Sequence, residues 1–272
     1  MLKIKGLTRR FQGRDRELKV ALENFDLQMD SGEFALIVGG AGAGKSTLLQ
    51  LLSGRILPDG GRIMLDHQDI TVWPEYCRSS IIATIWGNTG DGAIDELTVA
   101  ENLSLASIRN SGVGAGRLVT HARLNQLTDY LEEFNHGFNL NNHLNVPAGE
   151  LVWTRRLALE VMMAGISRPQ LLLLDDPTSK LSPDNAEKLL MLIVHLINAY
   201  HLTAIMTTPS SHWGASLGTR LLAMYRGRII ADYGGKERKH VGAAMLEEKF
   251  ATAIQLERFD FSSASMLEKL YI

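Results

Sequence analysis

Eight residues near the start of the chain could hold a phosphate. Gly39-Gly40-Ala41-Gly42-Ala43-Gly44-Lys45-Ser46 matches G-x-x-x-x-G-K-[ST], with Thr47 directly after it. Glycines let the backbone bend so that successive N–H groups point inward as an anion nest. The start of the following helix adds a partial positive charge. The pattern assigns phosphate contact to Gly40, Ala41, Gly42, Ala43, Gly44, Lys45, Ser46 and Thr47. Lys45 reaches the outer phosphates, and the Ser46 hydroxyl ligates Mg²⁺. About 130 residues later the apolar run Leu171–Leu174 ends in Asp175 and Asp176. Two acids at the end of a buried strand repel each other, so a packing role explains them poorly. A cation does explain them, and Asp175 is the second candidate Mg²⁺ ligand. The chemistry expected is that of a nucleoside triphosphate with Mg²⁺.

These groups need a strand before the glycine loop, a helix after it, and a second strand to bring Asp175 alongside. The sequence supplies all three. "EFALIVG" reads as a buried strand, and "KSTLLQLLSG" has helical spacing with Gly54 as a C-cap. "LLLLDD" reads as a fully buried strand. Further strands are expected in "MLKIKGLTRRF", "KVALENFDLQM", "GRIMLD" and "LTAIMTT", with a hairpin in "RLLAMYRGRIIADY" turning at Gly227. Helices are expected in "TVAENLSLASI", "HARLNQLTDYLEEF", "TRRLALEVMMAGI" and "PDNAEKLLMLIVHLINAY". The resulting class is α/β: a P-loop NTPase core with a mainly parallel sheet and an N-terminal antiparallel β subdomain. An inserted α-helical subdomain occupies about residues 88–160. Residues 1–235 form the nucleotide-binding unit, and 236–272 a helical C-terminal appendage.

Composition excludes other classes. A net charge of −2 over 272 residues, with no basic stripe, argues against nucleic acid as a partner. The short cluster "GGKERKH" reads as a solvated loop. No run of about 18 apolar residues is present to span a membrane. The N-terminus lacks the apolar core of a signal peptide. The single cysteine, Cys77, suits the cytosol. No "NKxD" follows the glycine loop to read guanine.

The order of these parts resembles an ABC-type ATPase, the nucleotide-binding subunit of an ABC transporter, over roughly residues 1–235. Phe11, the loop at 39–47, "LTVAENLSLA", the helix before "LLLLDDPTSKLSP" and the hairpin "MYRGRII" carry the resemblance. It implies that Phe11 stacks on adenine and that Val20 flanks the same base. It also implies two partners, membrane permease subunits and a second ABC ATPase subunit. The location implied is cytoplasmic, peripheral on the inner face of the cell membrane through the permease.

The departures from the family pattern bear on catalysis. Counting 11 residues back from Thr98 places Gly87 where the family has a Gln. The signature "LSGGQ" aligns with Leu151-Val152-Trp153-Thr154-Arg155, so Trp153 fills space normally left to glycine. Asp176 stands for the catalytic Glu, Ser182 for the final acid of the next loop, and Pro209 for the switch His. His212 is three residues out of register and reads as solvated. The implied function is ATP binding with weak or absent hydrolysis, coupled to a permease. The alternatives are an active motor with Asp176 as base and, third, a soluble P-loop protein with no transporter.

Overall fold

A computed structural model describes residues 1–13, 18–108 and 120–270. Part of the expected helical insert lies outside these residues.

Two sheets divide the strands. Strands β1 (Leu2–Gln12), β2 (Leu18–Met29), β4 (Gly60–Leu65) and β5 (Gln68–Asp69) form an antiparallel sheet in the order β2-β1-β4-β5. The larger sheet contains β3 (Phe34–Val38), β6 (Ile82–Trp86), β7 (Leu171–Asp175), β8 (Thr203–Thr208), β9 (Arg220–Tyr225) and β10 (Arg228–Tyr233). Its order is β10-β9-β3-β8-β7-β6, parallel except for the β9–β10 hairpin. Strand alternation sends side chains to two cores. Leu36, Val38, Leu172, Leu174, Ala204 and Met206 face one layer of helices. Ala35, Ile37, Leu171, Leu173 and Ile205 face the antiparallel sheet and the first helix. Because both faces are covered, the central strands read as continuous apolar runs rather than alternating ones.

Helix α1 (Lys45–Ser53) follows the glycine loop and ends at Gly54, which has φ 82°. A Cβ on Gly54 would lie 2.9 Å from Arg78 Nε and from Trp73 O, so packing as well as φ selects glycine. Arg78 closes the short helix α2 (Glu75–Arg78) and is fully buried. It donates to the carbonyls of Leu51, Leu52, Thr71 and Trp73, and so ties down the end of α1.

Helices α3 (Val99–Ile108), α4 (His121–Glu133) and α5 (Trp153–Ser167) lie between β6 and β7 in the chain. A capping box opens α3: Thr98 N donates to Glu101 Oε2 at 2.8 Å, and Glu101 N donates to Thr98 Oγ1 at 3.2 Å. Helix α6 (Pro183–Tyr200) starts with proline at its first position and ends at His201 in the left-handed region. Helix α7 (Ser211–Ser216) follows β8, and α8 (Gly235–Arg238) and α9 (Ala243–Leu270) complete the chain.

Several features differ from expectation, among them the short elements β5, α2 and α7. Strand β6, the edge of the main sheet, was not expected. The "GGKERKH" cluster is no solvated loop: it contains α8, and Arg238 is buried. Its guanidinium donates to the carbonyls of Gly214, Ala215 and Leu217 at the end of α7, where the partial negative charge of the helix receives a cation.

Candidate nucleotide-binding site

Strand β3 delivers the chain to a glycine loop whose glycines have two different reasons. A Cβ on Gly39 would lie 2.4 Å from Met224 O, and one on Gly44 2.6 Å from Ala21 O. Those two positions are closed by the fold. Gly40 and Gly42 face open space, and with Ala41 they are exposed. The open side is therefore free to receive a ligand close to backbone N–H groups. Lys45 Nζ donates to Gly39 O at 2.7 Å and to Gly40 O at 3.0 Å, which tethers it across the loop. Burial lowers its pKa below the ordinary lysine value, and the charges of Asp176 and Asp175 oppose that shift.

Asp175 ends β7 beside the start of α1. Its Oδ1 accepts hydrogen bonds from Ser46 Oγ at 3.1 Å and from Thr207 Oγ1 at 2.7 Å. The β7–β8 register pairs Asp175 with Thr207 directly. Thr207 is fully buried, and its hydroxyl also accepts from Asp176 N at 3.1 Å. Sequence reasoning missed this residue; the signal was a pair of threonines closing the strand after three apolar residues. The Ser46–Asp175 oxygens fit Mg²⁺, because neighbouring ligands of an octahedral ion with ~2.1 Å bonds lie about 3 Å apart. Among the described residues no group of three or more His, Cys, Asp or Glu could hold a metal.

Asp176 has φ 45° and sits in the left-handed region. Burial raises its pKa, the neighbouring Asp175 raises it further, and Lys45 acts the other way. Gly87 follows β6, and its N–H donates to Asp175 O at 3.0 Å. A Cβ there would lie 2.1 Å from Asp176 O and 2.6 Å from Pro177 Cα. Glycine at 87 is thus a packing requirement, and a glutamine cannot enter without displacing the backbone that carries both acids.

The base-contact candidates separate. Val20 lines a cavity of about 490 Å³ with Lys19, Gly40, Ala41, Gly42, Ala43, Tyr225 and Arg226. Phe11 is not among those lining residues, and the Arg9 guanidinium lies 5.0 Å from its ring centroid. In the β1–β2 register Phe11 pairs with Lys19 and Val20 with Arg10, so the ribbon sends Phe11 and Val20 to opposite faces.

At the start of α5, Val152 is 59% exposed, whereas the Trp153 ring turns into its own chain. A Cβ on Gly90 would touch that ring at 2.7 Å, and Lys180 Nζ lies 4.9 Å from a ring centroid of Trp153. The same Nζ donates to Asn88 O at 2.5 Å. One turn along the helix, Arg156 holds the 88–95 segment through Gly90 O at 2.8 Å, Ala93 O at 3.1 Å and the Asp95 carboxylate at 2.5 Å. Ser182 precedes α6 without a side-chain cap bond. Pro209 is exposed between β8 and α7, and His212 is exposed beside Trp213.

A P-loop nucleotide-binding domain with an antiparallel sheet and helices inserted between β6 and β7 is the class that this fold and site define. Residues 22–179, more than half of the chain, match the family model for ABC transporter. The chain belongs to the ABC transporter family. It is 30% identical over 254 residues to the tyrosine transport ATP-binding protein of Clostridioides difficile, covering 93% of this chain and 100% of that protein. It is 28% identical over 239 residues to the high-affinity branched-chain amino acid transport ATP-binding protein BraF of Pseudomonas aeruginosa, covering 85% of this chain and 91% of that protein. Its fold is similar to a dimeric ATP-binding cassette in a post-hydrolysis state bound to ADP and Pi, with a TM-score of 0.71 and 22% identity over 86% of this chain and 98% of that one. Among the described residues no helix is long and apolar enough to cross a membrane.

Proposed function

We propose that the chain is the ATP-binding subunit of an ABC-type transport system, one that holds Mg-ATP and hydrolyses it weakly or not at all. The observation that carries this reading is the contrast inside one site. Ser46, Asp175 and Thr207 form a hydrogen-bonded set suited to Mg²⁺, and Lys45, tethered across the loop, is suited to phosphate. Around it, Gly87 has no side chain, Asp176 is one methylene shorter than a glutamate, and Pro209 has no imidazole. A misplacement of about 1 Å costs on the order of 10²-fold in rate, and one lost preorganised donor costs about 10²–10³-fold. The backbone N–H groups of Gly40 to Gly44 and the hydroxyls of Ser46 and Thr47 bind the phosphates. Val20 contacts the base from the cavity wall, and Phe11 lies on the opposite face of the ribbon. Residues 1–235 act as the nucleotide-binding unit, and 236–272 as an appendage.

An open groove supports the reading that the chain couples to a permease. A groove of about 700 Å³ runs between β6 and the α3–α5 helices, lined by Arg55, Trp86, Asp91, Ile94, Glu160 and others. Tyr76, on the adjoining α2, is 78% exposed. Asp95 is tied to Arg156, so Asp91→Lys is the cleaner probe of this face. Amino acids are the solutes named for both relatives and are the first class to test. A second ABC ATPase chain, identical or different, completes the assembly on the cytoplasmic side of the membrane.

One observation favours the competing reading of an active motor. The pKa of Asp176, raised by burial and by Asp175, makes its carboxylate a stronger base than an ordinary aspartate. Thermal unfolding with Mg-ATP tests the shared premise. The nucleotide should raise Tm by binding the native state, and Lys45→Ala should remove the rise. Equal stabilisation of parent and mutant would take the P-loop out of the account.

A further inference from the structure

The cavity beside the P-loop has a second wall. Gly40 to Ala43 form one side; Lys19, Tyr225 and Arg226 stand on the other. The turn that carries Arg226 is fastened to the loop, since Gly227 N donates to Ala43 O at 2.8 Å. Arg226 and Gly227 both have positive φ, 44° and 75°, as a two-residue hairpin turn with the strand-matching twist requires. Asn, Asp or Gly suits the first of these positions; an arginine there carries a backbone cost. Its side chain reaches the C-terminal helix. Arg226 forms an ion pair with Glu257 of α9, and Glu257 Oε2 accepts a hydrogen bond from Tyr225 OH at 2.6 Å. The Arg226 side chain is 63% exposed and that of Glu257 21% exposed, so the arginine keeps a face toward solvent.

We propose that Arg226 is a further binding residue for the nucleotide's phosphates and that Glu257 holds it when no nucleotide is bound. The C-terminal helix and a nucleoside triphosphate then compete for one guanidinium. The chemistry permits the exchange, because the planar fork of arginine pairs equally with a carboxylate or a phosphate. Lys19 adds a second cation on the same wall, which favours a polyanion in the cavity. Coupling of this kind is reciprocal: nucleotide loosens the α9 contact by the factor with which that contact weakens nucleotide binding. The proposal rests on the reading of the P-loop as an ATP site, and it gives the appendage a role as a sensor of nucleotide occupancy.

The test is a double-mutant cycle on the full chain, with Mg-ATP affinity measured by calorimetry. Arg226→Asn keeps the turn, because asparagine tolerates the left-handed conformation. Glu257→Gln should tighten Mg-ATP by about 5-fold, Arg226→Asn should weaken it by about 5-fold, and the double mutant should match Arg226→Asn alone. Hydrogen exchange at residues 243–255 should speed up on adding Mg-ATP to the parent and stay unchanged in Arg226→Asn. Binding by the parent, with Glu257→Gln either silent or equally effective in both backgrounds, overturns the proposal alone. Failure of the parent to bind Mg-ATP overturns the P-loop reading together with it.

Discussion

Replacing Gly87 with alanine tests whether glycine there marks a lost side chain or a required one. The added Cβ would sit 2.1 Å from Asp176 O, 2.6 Å from Pro177 Cα and 2.7 Å from Asp176 C. All three are backbone atoms, so no rotamer change relieves the contact. Gly87 is not among the glycines with positive φ, so the cost is steric and not conformational. Overpacking costs about 1–3 kcal/mol, and contact with backbone places this case at the upper end. At ~2–4 °C per kcal/mol for a chain of this size, Tm should fall by roughly 6–12 °C. The displaced Asp176 peptide also carries Asp175 away from Ser46, so the residual Mg-ATP stabilisation should shrink. Gly60→Ala is the control, since Gly60 has open space and no positive φ; its Tm should stay within about 2 °C of the parent. Scanning calorimetry with and without Mg-ATP reads both effects. A Gly87→Ala protein that melts with the parent and binds Mg-ATP as well would refute the packing argument. It would also reopen position 87 to a working glutamine.

Glu160 is buried and its carboxyl is pushed up to about 7 by desolvation, with Arg156 and backbone donors opposing. The folded chain therefore keeps a proton that the unfolded chain releases near its ordinary value, and this stability is lost as pH rises from about 4.5 to about 7. The loss amounts to at most about 3 kcal/mol; Glu160→Gln should flatten that part of the Tm-against-pH curve, and an unchanged slope would place the titration elsewhere. Thr207→Val removes the donor to Asp175 and the acceptor for Asp176 N. It should weaken ATP binding about tenfold in Mg²⁺, from a buried bond worth ~1–2 kcal/mol, and little in EDTA; equal weakening in both would deny Thr207 a part in the cation site. Lys180→Ala should cost about 1 kcal/mol and shift tryptophan emission toward the solvated range, because the Trp153 ring loses its cation. An unaltered spectrum would show that the ring is held by its other contacts.

The sequence made some parts plain and hid others for physical reasons. Strands β3 and β7 and helix α6 were legible because burial on both faces, or on one stripe, writes a pattern within a single segment. The meeting of Ser46 with Asp175 was legible because glycine spacing and a strand ending in acids each point to the same loop. Thr207 was hidden because its partner lies 32 residues away on the neighbouring strand. The Lys180–Asn88 bond, 92 residues apart, escaped for the same reason. Arg238 was misread because a cation near glycines suggests solvent, whereas three helix-end carbonyls receive it in the interior. Gly87 was seen as an absence, and only the Asp176 carbonyl shows why nothing larger fits.

The most direct measurement is the steady-state ATPase rate of the purified chain across a wide range of protein concentration, with Mg-ATP binding confirmed on the same sample. The rate should stay near background throughout, unaffected by Lys45→Ala and little changed by Asp176→Glu alone, since position 87 and Pro209 still offer no donor. An active cassette would gain turnover as chains pair, because its sites draw on two chains. Robust hydrolysis that rises with concentration and disappears in Lys45→Ala would contradict the account and show that Asp176 suffices as the base.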